Sequence, residues 1–154
     1  MTWDPVRPFL RPRAILAVLA LAAGAAVLLE RLILTDAERI RKILARAERS
    51  ALEGKWDDAV NLLDPDYRFE GMTREDLRAQ AHAAFRGKPL RKCETMGETK
   101  VEVAGDGTAR VLARYVLRGE PGTLAEGPFV LDLEIGFRKR PELGWTVVSV
   151  RFKG

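Results

Sequence analysis

Apolar positions along the chain change their period, and each change predicts a different kind of element. Residues 14–29 read AILAVLALAAGAAVLL, sixteen uncharged positions with no polar face. A helix that is apolar all round belongs in a core or a membrane, not on the surface of a domain. From residue 35 the period is helical instead. Ile40, Ile43, Leu44, Ala47 and Ala51 form one stripe among many Arg and Glu, which predicts an amphipathic helix. Thr35-Asp36-Ala37-Glu38 opens it in the form of a capping box, and Gly54 is its stop. Trp56 to Leu63 reads as a second, short helix closed by Asp64-Pro65. Thr73-Arg74-Glu75-Asp76 opens a third, which carries Leu77, Ala81, Ala84 and Phe85 and ends at Gly87.

After Pro89 the period falls to two. Val101 and Val103 alternate with charged neighbours, and Gly105-Asp106-Gly107 supplies a turn. Ala109, Val111, Ala113, Tyr115 and Leu117 then share one face of a strand. Beyond the loop at 119–127, Phe129, Leu131, Leu133, Ile135 and Phe137 do the same, which leaves Asp132 and Glu134 on the opposite face. Residues 145–152 close the chain as a strand with Val on both faces. Helices followed by antiparallel strands predict an α+β domain with the helices covering one face of the sheet.

The apolar N-terminal run locates the chain. At about 1.5 Å per residue it spans about 24 Å, against roughly 30 Å for a bilayer core. Extension to residue 34 takes in Glu30 and Arg31, which must then sit at the interface. The expected organisation is a basic tail at 1–13, a transmembrane anchor at 14–34 and one domain at 35–154. A cleaved signal peptide is the main rival, with Ala23-Gly24-Ala25 as its cleavage site. The apolar run continues through Val27-Leu28-Leu29, which favours an uncleaved anchor; a buried soluble helix is the other alternative. Arg7, Arg11 and Arg13 favour an inside N-terminus, although Arg31, Arg39, Arg41, Lys42 and Arg46 lie on the other side. The expectation is a single-pass protein of the cell inner membrane with its domain on the extracytoplasmic side.

Charge adds little to this picture. Four of the 26 basic and two of the 22 acidic residues lie in residues 1–34, leaving 22 and 20 for the domain. Arg86, Lys88, Arg91 and Lys92 form one basic cluster, and Arg138-Lys139-Arg140 another that reads as a solvated hairpin turn. Nucleic-acid binding would want the charge concentrated and interleaved with aromatics, so no nucleic-acid partner is expected. One histidine and one cysteine make no recognisable His/Cys metal site, and no metal or other cofactor is expected. Cys93 is alone, so no intrachain disulfide forms, and no activating base adjoins it in sequence.

With these elements in place, residues 35–154 resemble the nuclear transport factor 2-like superfamily. The resemblance rests on Leu63-Asp64-Pro65-Asp66-Tyr67-Arg68-Phe69-Glu70-Gly71 after the helix pair, on the Thr73-Arg74-Glu75-Asp76-Leu77 helix start, and on the terminal Gly144-Trp145-Thr146-Val147-Val148 strand. It implies a cone in which a long helix and two shorter ones pack into a strongly curved antiparallel sheet. The superfamily holds isomerases, hydrolases, cyclases, and transport and secretion-complex domains, so the resemblance leaves activity open.

Enzymes of this kind place an acid inside the cone, often with Tyr, Arg or His. The candidates here are Tyr115, on the inward phase; His82, at the edge of the third helix's stripe; and Asp132, which reaches the interior only if a bulge reverses the strand. Trp56, Phe85, Tyr115, Leu131, Leu133 and Trp145 are the candidate pocket lining. The absence of paired catalytic groups favours a non-catalytic domain at the membrane that binds a protein partner, a second copy or a small apolar ligand. An isomerase- or hydrolase-like enzyme in a hydrophobic cone pocket is the alternative.

Overall fold

The computed structural model describes residues 12–32 and 35–154. They fall into two units, divided after Thr35. The first holds helix α1, Pro12–Leu32. The expectation of a transmembrane anchor over 14–34 is not carried by the structure: among the described residues, no helix is long and apolar enough to cross a membrane. Residues 1–11 of the expected basic tail, and positions 33 and 34, lie outside the described residues.

The second unit is α+β. Helix α2 (Asp36–Leu52) is followed by α3 (Trp56–Val60), a two-residue hairpin of β1 (Arg68–Phe69) and β2 (Met72–Thr73), and α4 (Arg74–Phe85). Then come β3 (Leu90–Thr95), β4 (Lys100–Val103), β5 (Thr108–Gly119), β6 (Pro128–Arg140) and β7 (Gly144–Lys153). The five form one sheet in the order β3-β5-β6-β7, with β4 also paired to β5. All these pairs are antiparallel. β3 lies against the end of β5 and β4 against its beginning, so the two act as one edge strand broken at residues 96–99.

Local chemistry explains most boundaries. The backbone of Gly54 has φ 71°, and a Cβ there would come within 3.1 Å of Pro89 N. Glycine therefore lets the α2–α3 turn run against the α4–β3 turn. The Thr73 hydroxyl accepts from the Asp76 amide at 3.2 Å, and the Asp76 carboxylate accepts from the Thr73 amide at 2.8 Å. This reciprocal cap starts α4 one residue after the threonine. Its other end closes on Arg86, in the left-handed region at φ 52°.

Ile40 and Leu44 of α2 pack with Val111, Ala113, Ile135, Phe137 and Val147 of the sheet to make the main core. The inward phase of β5 and β6 holds through these residues, but it fades toward the start of β6, where Phe129 is 41% exposed. The valines on both faces of β7 have a simple cause. Gly136 pairs with Ser149 and Phe137 with Val147, so Val148 is an extra residue in the ladder. This bulge turns both Val147 and Val150 toward the helices. Gly136 stands at the bulge because a Cβ there would collide with Ser149 Oγ.

Arg138-Lys139-Arg140 corrects the sequence reading. It belongs to β6, not to a solvated turn. Lys139 Nζ lies 3.1 Å from Asp36 Oδ1, and Arg140 grips Asp64 through two nitrogens, at 2.6 and 2.8 Å. Their acidic partners are remote in sequence, so local charge density concealed the pairing.

Candidate functional site

Three helices on one side and the inward residues of four strands on the other leave a cavity of about 380 Å³ inside the domain. The helical spacing of α2 puts Ile43, Leu44, Ala47, Glu48 and Ala51 along it. α3 and the turn after it add Trp56, Ala59, Val60, Leu62 and Leu63, and α4 adds Leu77, Ala81 and Phe85. The floor comes from Leu90 and Cys93 of β3, Tyr115 and Leu117 of β5, Leu133 and Ile135 of β6, and Val147 and Val150 of β7.

One wall is aromatic. Trp56 and Phe85 stack with centroids 4.1 Å apart and planes 9° from parallel. The Trp56 indole N–H donates to Lys88 O at 3.0 Å, which fixes the ring and holds the turn that follows α4.

The polar content of the cavity is small and specific. Tyr115, 6% exposed, donates its hydroxyl to Glu48 Oε1 at 2.9 Å. Burial, then the Glu48 charge and the hydrogen bond to it, raise the Tyr115 pKa above the ordinary phenol range. The phenol therefore keeps its proton and presents it to the carboxylate. The Cys93 thiol is pushed up to about 11 by burial first and by Glu48 and Glu94 next. It is a neutral wall group, not an activated nucleophile.

Both groups link stability to alkaline pH. Their folded pKa values lie above the unfolded ones, so their contribution is complete below the latter. It is lost as the pH rises from the unfolded values, about 8.5 for cysteine and about 10 for tyrosine, through the higher folded ones. Tyr115→Phe removes the larger part of this dependence, and at neutral pH it costs about 1–2 kcal/mol because the carboxylate loses its donor. Urea unfolding at pH 7 and above pH 10 measures both effects; an unchanged alkaline slope would show that Tyr115 is not its source.

The other candidates lie elsewhere. His82 is on the outer side of α4, with a 47% exposed side chain that meets Asp57 Oδ1 at 3.1 Å. Asp132 is on the outer sheet face, where Arg114 binds it through two contacts of 2.6 and 3.0 Å. The bulge between β6 and β7 lies at Gly136/Phe137, beyond Asp132, and the β5–β6 pairing around Asp132 is regular, so neither turns it inward. Tyr115, His82 and Asp132 are thus not brought to one site. Of the expected lining, Trp56, Phe85, Tyr115 and Leu133 face the cavity, whereas Leu131 and Trp145 do not. Leu131 is the register partner of Tyr115 on the neighbouring strand. Trp145 is buried in the main core and donates its indole N–H to Asp36 Oδ1 at 3.0 Å.

Glu48 is the residue that sequence reasoning missed. It falls four positions after Leu44 and three before Ala51, inside the apolar stripe. An acid at that phase was the available signal. Among the described residues no group of three or more His, Cys, Asp or Glu could hold a metal ion.

No protein-family model matches the chain, and no curated protein matches it either. Solved structures do. A nuclear transport factor 2-like protein of unknown function in nutrient uptake from Rhodospirillum rubrum superposes with a TM-score of 0.61 at 21% identity, over 74% of this chain and 96% of that one. A nuclear transport factor 2-like protein with a cystatin-like fold from Novosphingobium aromaticivorans gives 0.55 at 25% identity, over 86% of each chain. A nuclear transport factor 2 superfamily protein from Salmonella enterica gives 0.60 at 14% identity, over 77% and 90%. The likeness shows the fold: the domain shares with these proteins the α+β cone of helices packed on an antiparallel sheet.

Proposed function

We propose that the domain holds a small apolar ligand in the cavity between its helices and sheet, and that the apolar run in α1 keeps the chain at a membrane. The observation that carries the first part is the cavity itself. Its volume lies in the range of small-molecule sites, and its wall is apolar except at one polar pair and one thiol. An apolar space of this size is held open here by rigid elements: a capped helix, a ring stack and a bulged sheet. The second part is supported by the sixteen uncharged residues at 14–29 and by exposed Leu16, Leu19 and Leu21 on α1. The role is binding, because the candidate catalytic groups do not share a site.

Titration of the full chain with a naphthalene-based apolar dye tests the ligand reading. Saturable binding is expected, and Ala81→Phe, which fills the cavity from α4, should weaken it by about tenfold or more, a cost of at least ~1.4 kcal/mol. Dye affinity indifferent to Ala81→Phe would place binding outside the cavity and defeat the reading. Carbonate extraction of membranes tests the tether: the chain should stay in the pellet, and Leu19→Arg with Leu21→Arg should release it.

A further inference from the structure

The cavity has an electrostatic sign. Among the described residues, Glu48 is the only charged one in its lining, and its carboxylate makes no ion pair there. Its one described polar contact is the bond from Tyr115. No described lysine or arginine lines it, and the described ion pairs lie on outer surfaces or at the Asp64 clasp.

The donor and acceptor inventory is equally one-sided. The Tyr115 proton is committed to Glu48, and Cys93 offers only a weak S–H donor. A ligand carbonyl or carboxylate would find no free strong donor in this space, and a carboxylate would also meet a like charge. An ammonium group would find a carboxylate with acceptor capacity left, inside a wall that strengthens the attraction. The remaining lining, from Ile43 around to the Trp56–Phe85 stack, suits an alkyl or ring body.

We infer that the cavity selects cationic amphiphiles: molecules with one protonated amine, seated on Glu48, and a compact apolar body packed against α3, α4 and the sheet. This rests on the reading of the cavity as a ligand site and adds the chemical class of the ligand. Tyr115 donates to one oxygen of that carboxylate, and the other is left to the amine.

Three probes of equal chain length separate the terms: octylamine, octanol and octanoate, each titrated calorimetrically into the full chain at pH 7. Octylamine should bind about tenfold or more tighter than octanol, and octanoate weakest of all. Glu48→Gln preserves an acceptor for Tyr115 while removing the charge, so it should weaken octylamine about tenfold or more and octanol much less, which erases the preference between them. Subtracting the Glu48→Gln titration also removes partition of the probes into any lipid or detergent present. Tyr115→Phe keeps the charge and should keep the preference for the amine, which guards against a Glu48 variant that fails to fold.

Equal binding of octylamine and octanol, tightest binding of octanoate, or loss of the amine preference in Tyr115→Phe would overturn the charge assignment while leaving the apolar cavity standing. Failure of all three probes, together with failure of the dye, would instead remove the ligand reading beneath it.

Discussion

Asp64→Ala is expected to lower the free energy of unfolding by about 3–5 kcal/mol, the cost of breaking a buried ion pair from one side. Asp64 is 1% exposed and every lone-pair direction of its carboxylate is engaged. Arg140 donates at 2.6 and 2.8 Å, the Thr146 hydroxyl at 2.7 Å, and the Asp66 amide at 2.9 Å. Its own amide donates to Val147 O at 2.8 Å, so the segment after α3 is tied to β7 by a parallel bridge between Leu63 and Val147. Loss of the carboxylate leaves a guanidinium and a hydroxyl without their acceptor. It also frees the chain that carries Leu62 and Leu63 to the cavity wall.

The same clasp sets the acid sensitivity. Burial alone would raise the Asp64 pKa, but Arg140, Thr146 and the Asp66 amide outweigh it and bring it down from 3.8 to about 2. A depressed carboxylate stabilises the fold above its unfolded pKa, and that contribution disappears as the pH falls through the folded value. The shift corresponds to roughly 2 kcal/mol, present at neutral pH and lost between about pH 4 and pH 2. Asp64→Asn retains an acceptor for Thr146 but not the charge. It should be milder than the alanine variant at pH 7 and should flatten the acid limb of urea-derived stability. An acid limb as steep as in the parent protein would assign it to other carboxylates.

Trp56→Ala is expected to cost about 3–5 kcal/mol. The ring is buried between the core beneath α4 and the cavity, stacked on Phe85 and hydrogen-bonded to Lys88 O. Because one side of it already faces open space, neighbours cannot close over the gap, and the void adds to the existing cavity. Trp56→Phe keeps an aromatic face for Phe85 and loses the N–H, so about 1–2 kcal/mol should be lost in that variant. Urea unfolding of the two variants separates packing from hydrogen bonding. A cost under about 1 kcal/mol for the alanine change would mean that the cavity wall collapses readily; pre-formed binding would then be untenable.

Much of the element order was legible in the chain because it depends on local periods. A stripe at 3.6 residues is a helix whatever packs on it, and alternation on β5 and β6 places Ala109, Val111, Ala113, Tyr115 and Ile135 inside without reference to their partners. The Thr73–Asp76 cap is local for the same reason. The inward position of Tyr115 and the outward one of Asp132 follow from strand phase alone.

What the tertiary structure decided is whatever joins distant positions. Glu48 meets Tyr115 across 67 residues, and Asp64 meets Arg140 across 76; neither periodicity nor spacing encodes such a meeting. The Val148 bulge and the exposed start of β6 depend on how neighbouring strands pair and end. The sequence by itself determined which faces of its helices and strands are apolar, since that is a property of side chains in order. Only the folded domain determined which polar groups those faces enclose, because a buried carboxylate is defined by the groups around it and not by its neighbours in the chain.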